Sequence, residues 1–389
     1  MDKAKGVGVF SKAFTLIAIG ALLLQMGTGI QSTVFNNFVS NDLGIGADQL
    51  GLVSGIREIP GLLTAALAMA AMFFTESMLA TICMLLVAAG MLLYSGAGGF
   101  ASLAFATIVM STGQHLYFPL QSAMVLKTSA PGERASRLGS LNSVTAMATV
   151  AATLLVRGMT AGKIPMRSMF KVGAAIAVVG AVFQALVKRG GKANLRKALV
   201  FKWKYKSYYV LSLLGGSRRH MNQTFAVFAL VNLYNVNLAT ISTLLLVSNI
   251  LAIVTRPLLG RLIDRWGEGR SLTFNYLVVA VLFLGYAFLR NVSLLYAIFI
   301  VDQMFLGFEV AITTHLDKIC DQADVSASLA MGGTINHISA VLIPVIGGFL
   351  WDAISPVATF MVGFLLCVIS FLQAYRLPEP ATLCAEQTA

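Results

Sequence analysis

Long apolar runs separated by short polar breaks organise this chain from its first twenty residues to its last. A bilayer-crossing helix needs about 20 predominantly apolar residues. Runs of that size predict twelve helices, near 13–39, 48–73, 77–95, 100–127, 137–160, 166–187, 207–232, 239–263, 271–289, 293–318, 327–350 and 355–376. The breaks carry turn chemistry: Asn41-Asp42-Leu43-Gly44, Gly96-Ala97-Gly98-Gly99, Pro131-Gly132, Gly162-Lys163-Ile164-Pro165 and Gly190-Gly191. The ten-residue alternating segments of a membrane β-barrel are missing.

Composition strengthens this reading. Charged residues make up 11% of the 389 residues and hydrophobic ones 57%, whereas a soluble domain carries about 25% charge. The pattern therefore predicts a polytopic, all-α membrane protein. The net charge of +12 does not point to nucleic acid, because the basic residues sit in short breaks beside apolar runs. With the N-terminus inside, the inner breaks hold Lys3, Lys5, Lys12, Lys127, Arg134, Arg137, the basic stretch 188–206, Arg261, Arg265, Arg270, Lys318 and Arg376. The outer ones hold only Lys163, Arg167, Lys171 and Arg290. That asymmetry places both termini in the cytoplasm, and a bacterial inner membrane is the expected location. The break between the fifth and sixth helices fits it least well. The first helix is too long for a cleaved signal and more spans follow, so it is expected to stay. Cys83, Cys320, Cys367 and Cys384 lack CxxC spacing and imply neither disulfides nor a metal knuckle.

Residues 188–206 (KRGGKANLRKALVFKWKYK) form the longest interior break. The stretch is basic, and Leu195, Leu199, Phe201, Trp203 and Tyr205 make its second half amphipathic. It is expected to lie on anionic headgroups as a surface helix joining residues 1–187 to 207–389. A shift of 194 residues relates those two parts without gaps. Leu52-Val53-Ser54 falls on Leu246-Val247-Ser248, Gly113 on Gly307, Gly139 on Gly333 and Asn142 on Asn336. One constant offset across three helices indicates two related six-helix bundles.

Between two apolar runs lies Gly260-Arg261-Leu262-Ile263-Asp264-Arg265-Trp266-Gly267-Glu268-Gly269-Arg270. It resembles the G-x-x-x-D-R/K-x-G loop of the major facilitator superfamily of secondary transporters, departing from it at Glu268 and Gly269. The resemblance covers essentially the whole chain. It implies twelve transmembrane helices in two pseudo-symmetric bundles, with a substrate site near the bilayer midplane lined by helices one, four, seven and ten. It also implies that Asp264 and Arg265 help latch the inner face. In the repeat register, Gly260 and Asp264 fall on Ala66 and Ala70, so the latch is expected in the second half only. The proline-rich fifth helix of the superfamily's drug/proton antiporters has no counterpart over Gly139–Met159.

Charges inside the apolar runs are the remaining signal. Each costs at least about 2.5–3.5 kcal/mol in lipid, so they are expected to face the bundle interior. Arg57 and Glu58 lie about 13–15 Å from the outer start of helix two, at 1.5 Å per residue. Asp302 lies at a similar depth in helix ten, which suggests an outer-half ion pair between the halves. Arg218-Arg219-His220 falls about 17–20 Å into helix seven. Successive residues point about 100° apart, so the two arginines are not expected both to face one cavity: one would meet the substrate and the other pair with an acid. Glu309 shares a helix face with Asp302, and His115 is its register mate. Gln25 and Gln31 of helix one complete the polar midplane. Arg256, before Pro257, is a gate candidate. Arg157 is expected to snorkel to the outer interface. His337 is placed nearer the cytoplasmic side.

There is no Walker A, Rossmann or HExxH sequence, so neither ATP-driven pumping nor enzymatic chemistry is expected, and no cofactor. The expected function is alternating-access secondary transport, proton-coupled, of a small anionic or zwitterionic solute by a monomer. Arg219 would bind solute or counter-acid, and Glu309, His115 and His220 would couple protons. Two alternatives stand beside it. One is movement of a metal such as copper, on the strength of Met69, Met72, Met78 and His220-Met221. The other is a transporter-like sensor or assembly factor without flux.

Overall fold

A computed structural model describes residues 12–63, 74–129, 134–187, 201–321 and 324–377. Nearly all of them lie in twelve helices. These are α1 (Lys12–Asn37), α2 (Ala47–Leu62), α3 (Glu76–Gly96), α4 (Phe100–Thr128), α5 (Arg134–Ala161), α6 (Met166–Ala185), α7 (Lys206–Asn232), α8 (Leu238–Trp266), α9 (Glu268–Phe288), α10 (Val292–Ile319), α11 (Val325–Ala353) and α12 (Pro356–Tyr375). Helices are the expected solution in lipid, where every backbone polar group must find its partner inside the segment. Nine of the described helices are long and apolar enough to cross a membrane. The others are α2, described only as far as its C-cap, and the polar-rich α4 and α7, both of which carry part of the site described below.

Helices α1–α6 pack among themselves, and so do α7–α12: α1 lies on α5 and α6, α3 on α4 and α6, α7 on α11 and α12, and α9 on α12. Two six-helix bundles result. They meet most extensively where α2 runs along α11, and again where α5 meets α8. Lipid gives helices no hydrophobic drive to associate, so close approach depends on small residues. Gly51 and Gly55 of α2 lie against the Pro344 and Val341 carbonyls of α11, and Gly348 of α11 lies against the Ala47 carbonyl. A side chain at any of the three would strike the neighbouring backbone.

Because the helices alternate in direction, one end of the bundle gathers the starts of α1, α5 and α7 with the ends of α4, α8 and α10. This is the basic end. The contacts that join the halves concentrate at the other end. There the Asp48 backbone N–H donates to Asp352 Oδ2 at 2.8 Å, and Asn37 Nδ2 donates to the Val236 carbonyl at 3.1 Å. Arg157 donates to Thr243, so it bridges α5 and α8 instead of simply snorkelling.

Two expectations change. Helix α8 continues to Trp266, which puts Asp264 and Arg265 on its last turn, and the chain reverses at Gly267, whose φ of 78° suits glycine. Helix α10 is interrupted by a 3-10 turn at Leu306–Glu309, so Glu309 sits at a break in the helical ladder. The surface helix expected over 188–206 falls largely outside the described residues. Its described remainder contains a single 3-10 turn, Trp203–Tyr205. That turn is held by Lys202 Nζ to Asp324 Oδ2 at 2.6 Å and Tyr205 OH to Asp324 Oδ2 at 2.7 Å. Lys204 pairs with Asp321. Phe201 and Trp203 are exposed, while Tyr205 is buried. Met69 and Met72 also lie outside the described residues.

Candidate functional site

Arg218 and Arg219 of α7 do converge, on Glu309 of α10. Arg218 Nη2 lies 3.1 Å from Glu309 Oε1, and Arg219 Nη1 lies 2.8 Å from Oε2. One carboxylate offers two oxygens, so both arginines reach it, yet only Arg219 also lines a cavity. Their environments still differ. The Arg218 side chain is fully buried, whereas 28% of Arg219's is exposed. Arg218 Nη1 also faces Asp302 at 3.7 Å, and Asp302 accepts from Asn222. Arg219 reaches Asn336 of α11 with its second nitrogen. Two arginines thus balance two acids, as a buried ionic cluster requires.

Asp302 therefore does not pair with Arg57 or Glu58 across the halves. It belongs to the second half's own cluster, one helical face above Glu309. Glu58 makes a different cross-half contact. His337 Nδ1 of α11 lies 3.1 Å from Glu58 Oε2, and His115 Nε2 of α4 lies 3.5 Å from the same oxygen. Arg57 Nε bonds Glu58 Oε1 at 3.1 Å. His337 thus lies at the level of His115. Gly61 makes room for the pair, since a Cβ there would strike both imidazole rings.

Neighbouring residues of α11 connect the two clusters. Asn336 takes Arg219, and His337 takes Glu58. Polar contacts run from Arg57 through Glu58 to His337, and from its chain neighbour Asn336 through Arg219, Glu309 and Arg218 to Asp302. On the second-half side they border a cavity of about 380 Å³ that reaches from Arg219 and Glu309 toward Tyr208 near the basic end. On the first-half side they border one of about 230 Å³ lined by Gln25, Gln31, Arg57, Ser111 and Gln114. Gln25 also bonds Thr149 of α5 at 3.1 Å.

Other expected residues make no ion pair or hydrogen bond with these clusters among the described residues. His220 is buried, and its Nε2 has no hydrogen-bond partner among the described residues. Its neighbour Met221 is fully buried and lies near Gly347 of α11. Met78 is exposed. Arg256 is exposed on α8 and, among the described residues, makes no ion pair. Asp264 and Arg265 line a groove of about 740 Å³ at the basic end. Both are exposed there without an ion-pair partner among the described residues.

The ion pair at this loop belongs to Glu268, where the sequence departs from the superfamily pattern. Glu268 opens α9 and meets Lys318 in the last turn of α10 at 2.8 Å. Its counterpart stands in the first half: Glu76 opens α3 and meets Lys127 in the last turn of α4 at 2.6 Å. The charge clasp is therefore doubled, although the glycine–aspartate motif appears once. Asn222, Asn336 and His337 also belong to the site, as partners of Asp302, Arg219 and Glu58. The available signal was that each intramembrane carboxylate needs a polar partner, and Asn336-His337 was the unclaimed polar pair.

Two six-helix bundles that meet around a charged, cavity-lined midplane define a membrane transporter rather than an enzyme. The chain matches the Major Facilitator Superfamily over residues 17–323 and 221–384 and belongs to it. Among curated proteins no sequence gives a significant match. Solved structures show the same fold at low identity. The nucleoside transporter NupG aligns with a TM-score of 0.72 at 13% identity, covering 97% of this chain and 99% of NupG. A bacterial homologue of the iron transporter ferroportin, inward-facing, gives 0.74 at 14% identity over 95% and 100%. A bacterial homologue of human Spinster, inward-facing and occupied, gives 0.74 at 13% over 95% and 97%.

Proposed function

We propose that this chain is a proton-coupled, alternating-access transporter of a small anionic or zwitterionic solute, with its basic end in the cytoplasm. One observation carries the reading: of two arginines on one carboxylate, Arg218 is sealed in protein and Arg219 is open to a cavity. Arg218 fixes Glu309, and Arg219 is the guanidinium that a solute can reach. A carboxylate or phosphate on the solute would compete with Glu309 for it, since both present the same bidentate geometry. Protonating Glu309 removes that competitor and frees Arg219. Solute and proton then favour the same state, which is the condition for coupling them.

The test uses purified full-length protein in liposomes with an imposed pH gradient. A thermal-shift screen of anions, amino acids, sugars and nucleosides first selects the solute. Glu309→Gln is expected to abolish gradient-driven uptake while leaving solute exchange. If uptake and exchange both persist in that variant, Glu309 is a structural partner of the arginines. Flux that ignores the pH gradient in the unaltered protein removes the coupling claim.

A further inference from the structure

Glu58, His115 and His337 do not touch the Arg219 cavity, and the solute reading leaves them unused. Their donor atoms, one carboxylate oxygen and two imidazole nitrogens, all lie within 4.8 Å of one another. Glu58 Oε2 is 3.1 Å from His337 Nδ1 and 3.5 Å from His115 Nε2. A tetrahedral ion with bonds of about 2.0–2.1 Å holds neighbouring ligand atoms about 3.3–3.4 Å apart. Two of the three separations are thus near ligand spacing with no ion present, and the third is within 4.8 Å.

The surroundings suit coordination in three further respects. His115 Nδ1 is engaged with Ser111, at 2.9 Å from the hydroxyl and 3.0 Å from the backbone carbonyl. That contact fixes the ring and turns Nε2 toward Glu58, as outer contacts of metal-bound imidazoles do. Gly61 leaves the space both rings occupy. Glu58 is buried, while His115 and His337 keep 18% and 27% side-chain exposure, enough for an ion to enter. Arg57 occupies the other Glu58 oxygen, but 42% of its side chain is exposed, and it has room to swing into the first-half cavity it lines.

We infer that Glu58, His115 and His337 form a binding site for a divalent first-row transition-metal ion that clamps the two bundles together. Two imidazoles and one carboxylate suit zinc, iron or cobalt(II) rather than magnesium or calcium, and the trio has no sulfur donor for copper(I). Glu58 and His115 come from α2 and α4 and His337 from α11, so an ion held by all three fastens one half to the other along their longest contact.

The experiment uses the full chain in detergent, free of affinity tag and stripped by chelator. Zinc titrated against a fluorescent chelator is expected to bind once per chain. Cobalt(II) is expected to give a visible absorption band typical of low coordination number. His115→Gln and His337→Gln should each weaken binding at least tenfold and bleach that band, while His315→Gln, outside the trio, should change neither. Size-exclusion profile and metal-free melting show whether each variant is folded. Zinc should also slow amide hydrogen exchange in both α2 and α11. Absence of stoichiometric binding, or undiminished binding in both folded variants, overturns the site. Protection confined to one half overturns the clamp. Zinc uptake into liposomes that is lost in the same variants makes the ion a cargo and overturns it too. The solute assay above is unaffected by any of these outcomes.

Discussion

At the residue scale, Arg218 is among the largest fully buried side chains of the described residues. It is fully buried between Glu309 and Asp302. Removing one partner from a buried ionic cluster costs about 3–5 kcal/mol, because the remaining charges stay buried without compensation. Arg218→Met is therefore expected to lower the thermal midpoint sharply, and Asp302→Asn added to it should recover part of the loss. Arg219→Met should cost much less, since that side chain reaches a cavity. Equal losses in the two variants would remove the distinction on which the solute reading rests. The sequence allowed half of this cluster to be read. Charges in apolar runs are conspicuous, and helical spacing puts Asp302 and Glu309 on one face. What it could not give was relative depth. Helix tilt and the unknown positions of the helix ends made Glu58 a false partner for Asp302 and left the contact between Glu58 and His337 unread.

Elements meet through their ends, and here charge rather than hydropathy does the joining. Helix α2 begins at Ala47 without a side-chain cap of its own. The first-turn amide of Asp48 is instead satisfied by Asp352 of α11, from the other half. A lost N-cap costs about 0.5–2 kcal/mol. Asp352→Ala is thus expected to speed amide exchange specifically in the first turn of α2, and unchanged exchange there would leave Asp352 without a role in sealing this end. At the basic end, Asp324 joins the segment before α7 to the start of α11. The Lys202 ammonium, and then the Tyr205 hydroxyl, hold its carboxyl below the ordinary aspartate value. A depressed carboxyl stabilises the fold fully above its unfolded value of about 3.9 and loses that contribution as pH falls through its lower folded value. The melting midpoint of Asp324→Asn should accordingly lie below that of the unaltered protein at neutral pH, with the gap closing below about pH 4. A gap that does not change with pH would assign the effect to shape instead of charge. None of these joints follows from hydrophobic pattern. That pattern fixes where helices run, whereas the joints depend on which ends become neighbours.

For the molecule as a whole, the doubled clasp changes the meaning of the loop motif. Glu76–Lys127 and Glu268–Lys318 each lie within one half, at equivalent ends of equivalent helices. Contacts of that kind persist when two rigid halves rock against each other, so they stabilise each half without selecting a state. Asp264 differs. It is exposed and lacks an ion-pair partner among the described residues in an arrangement where Asp352, Asn37 and Arg157 join the halves at the opposite end. A latch at the basic end should be unmade in such a state and made in the other. Its removal would then cost only the other state, and an equilibrium shifts by no more than that difference. Spin labels at Thr128 and Asp317, one on each half at the basic end, read this equilibrium as a distance distribution. Asp264→Asn is expected to enrich the longer distances. Glu268→Gln is expected to lower the melting midpoint and leave the distribution in place. The opposite result, with Glu268 setting the distribution and Asp264 inert, would make the clasp the switch and reduce the motif's aspartate to a surface charge.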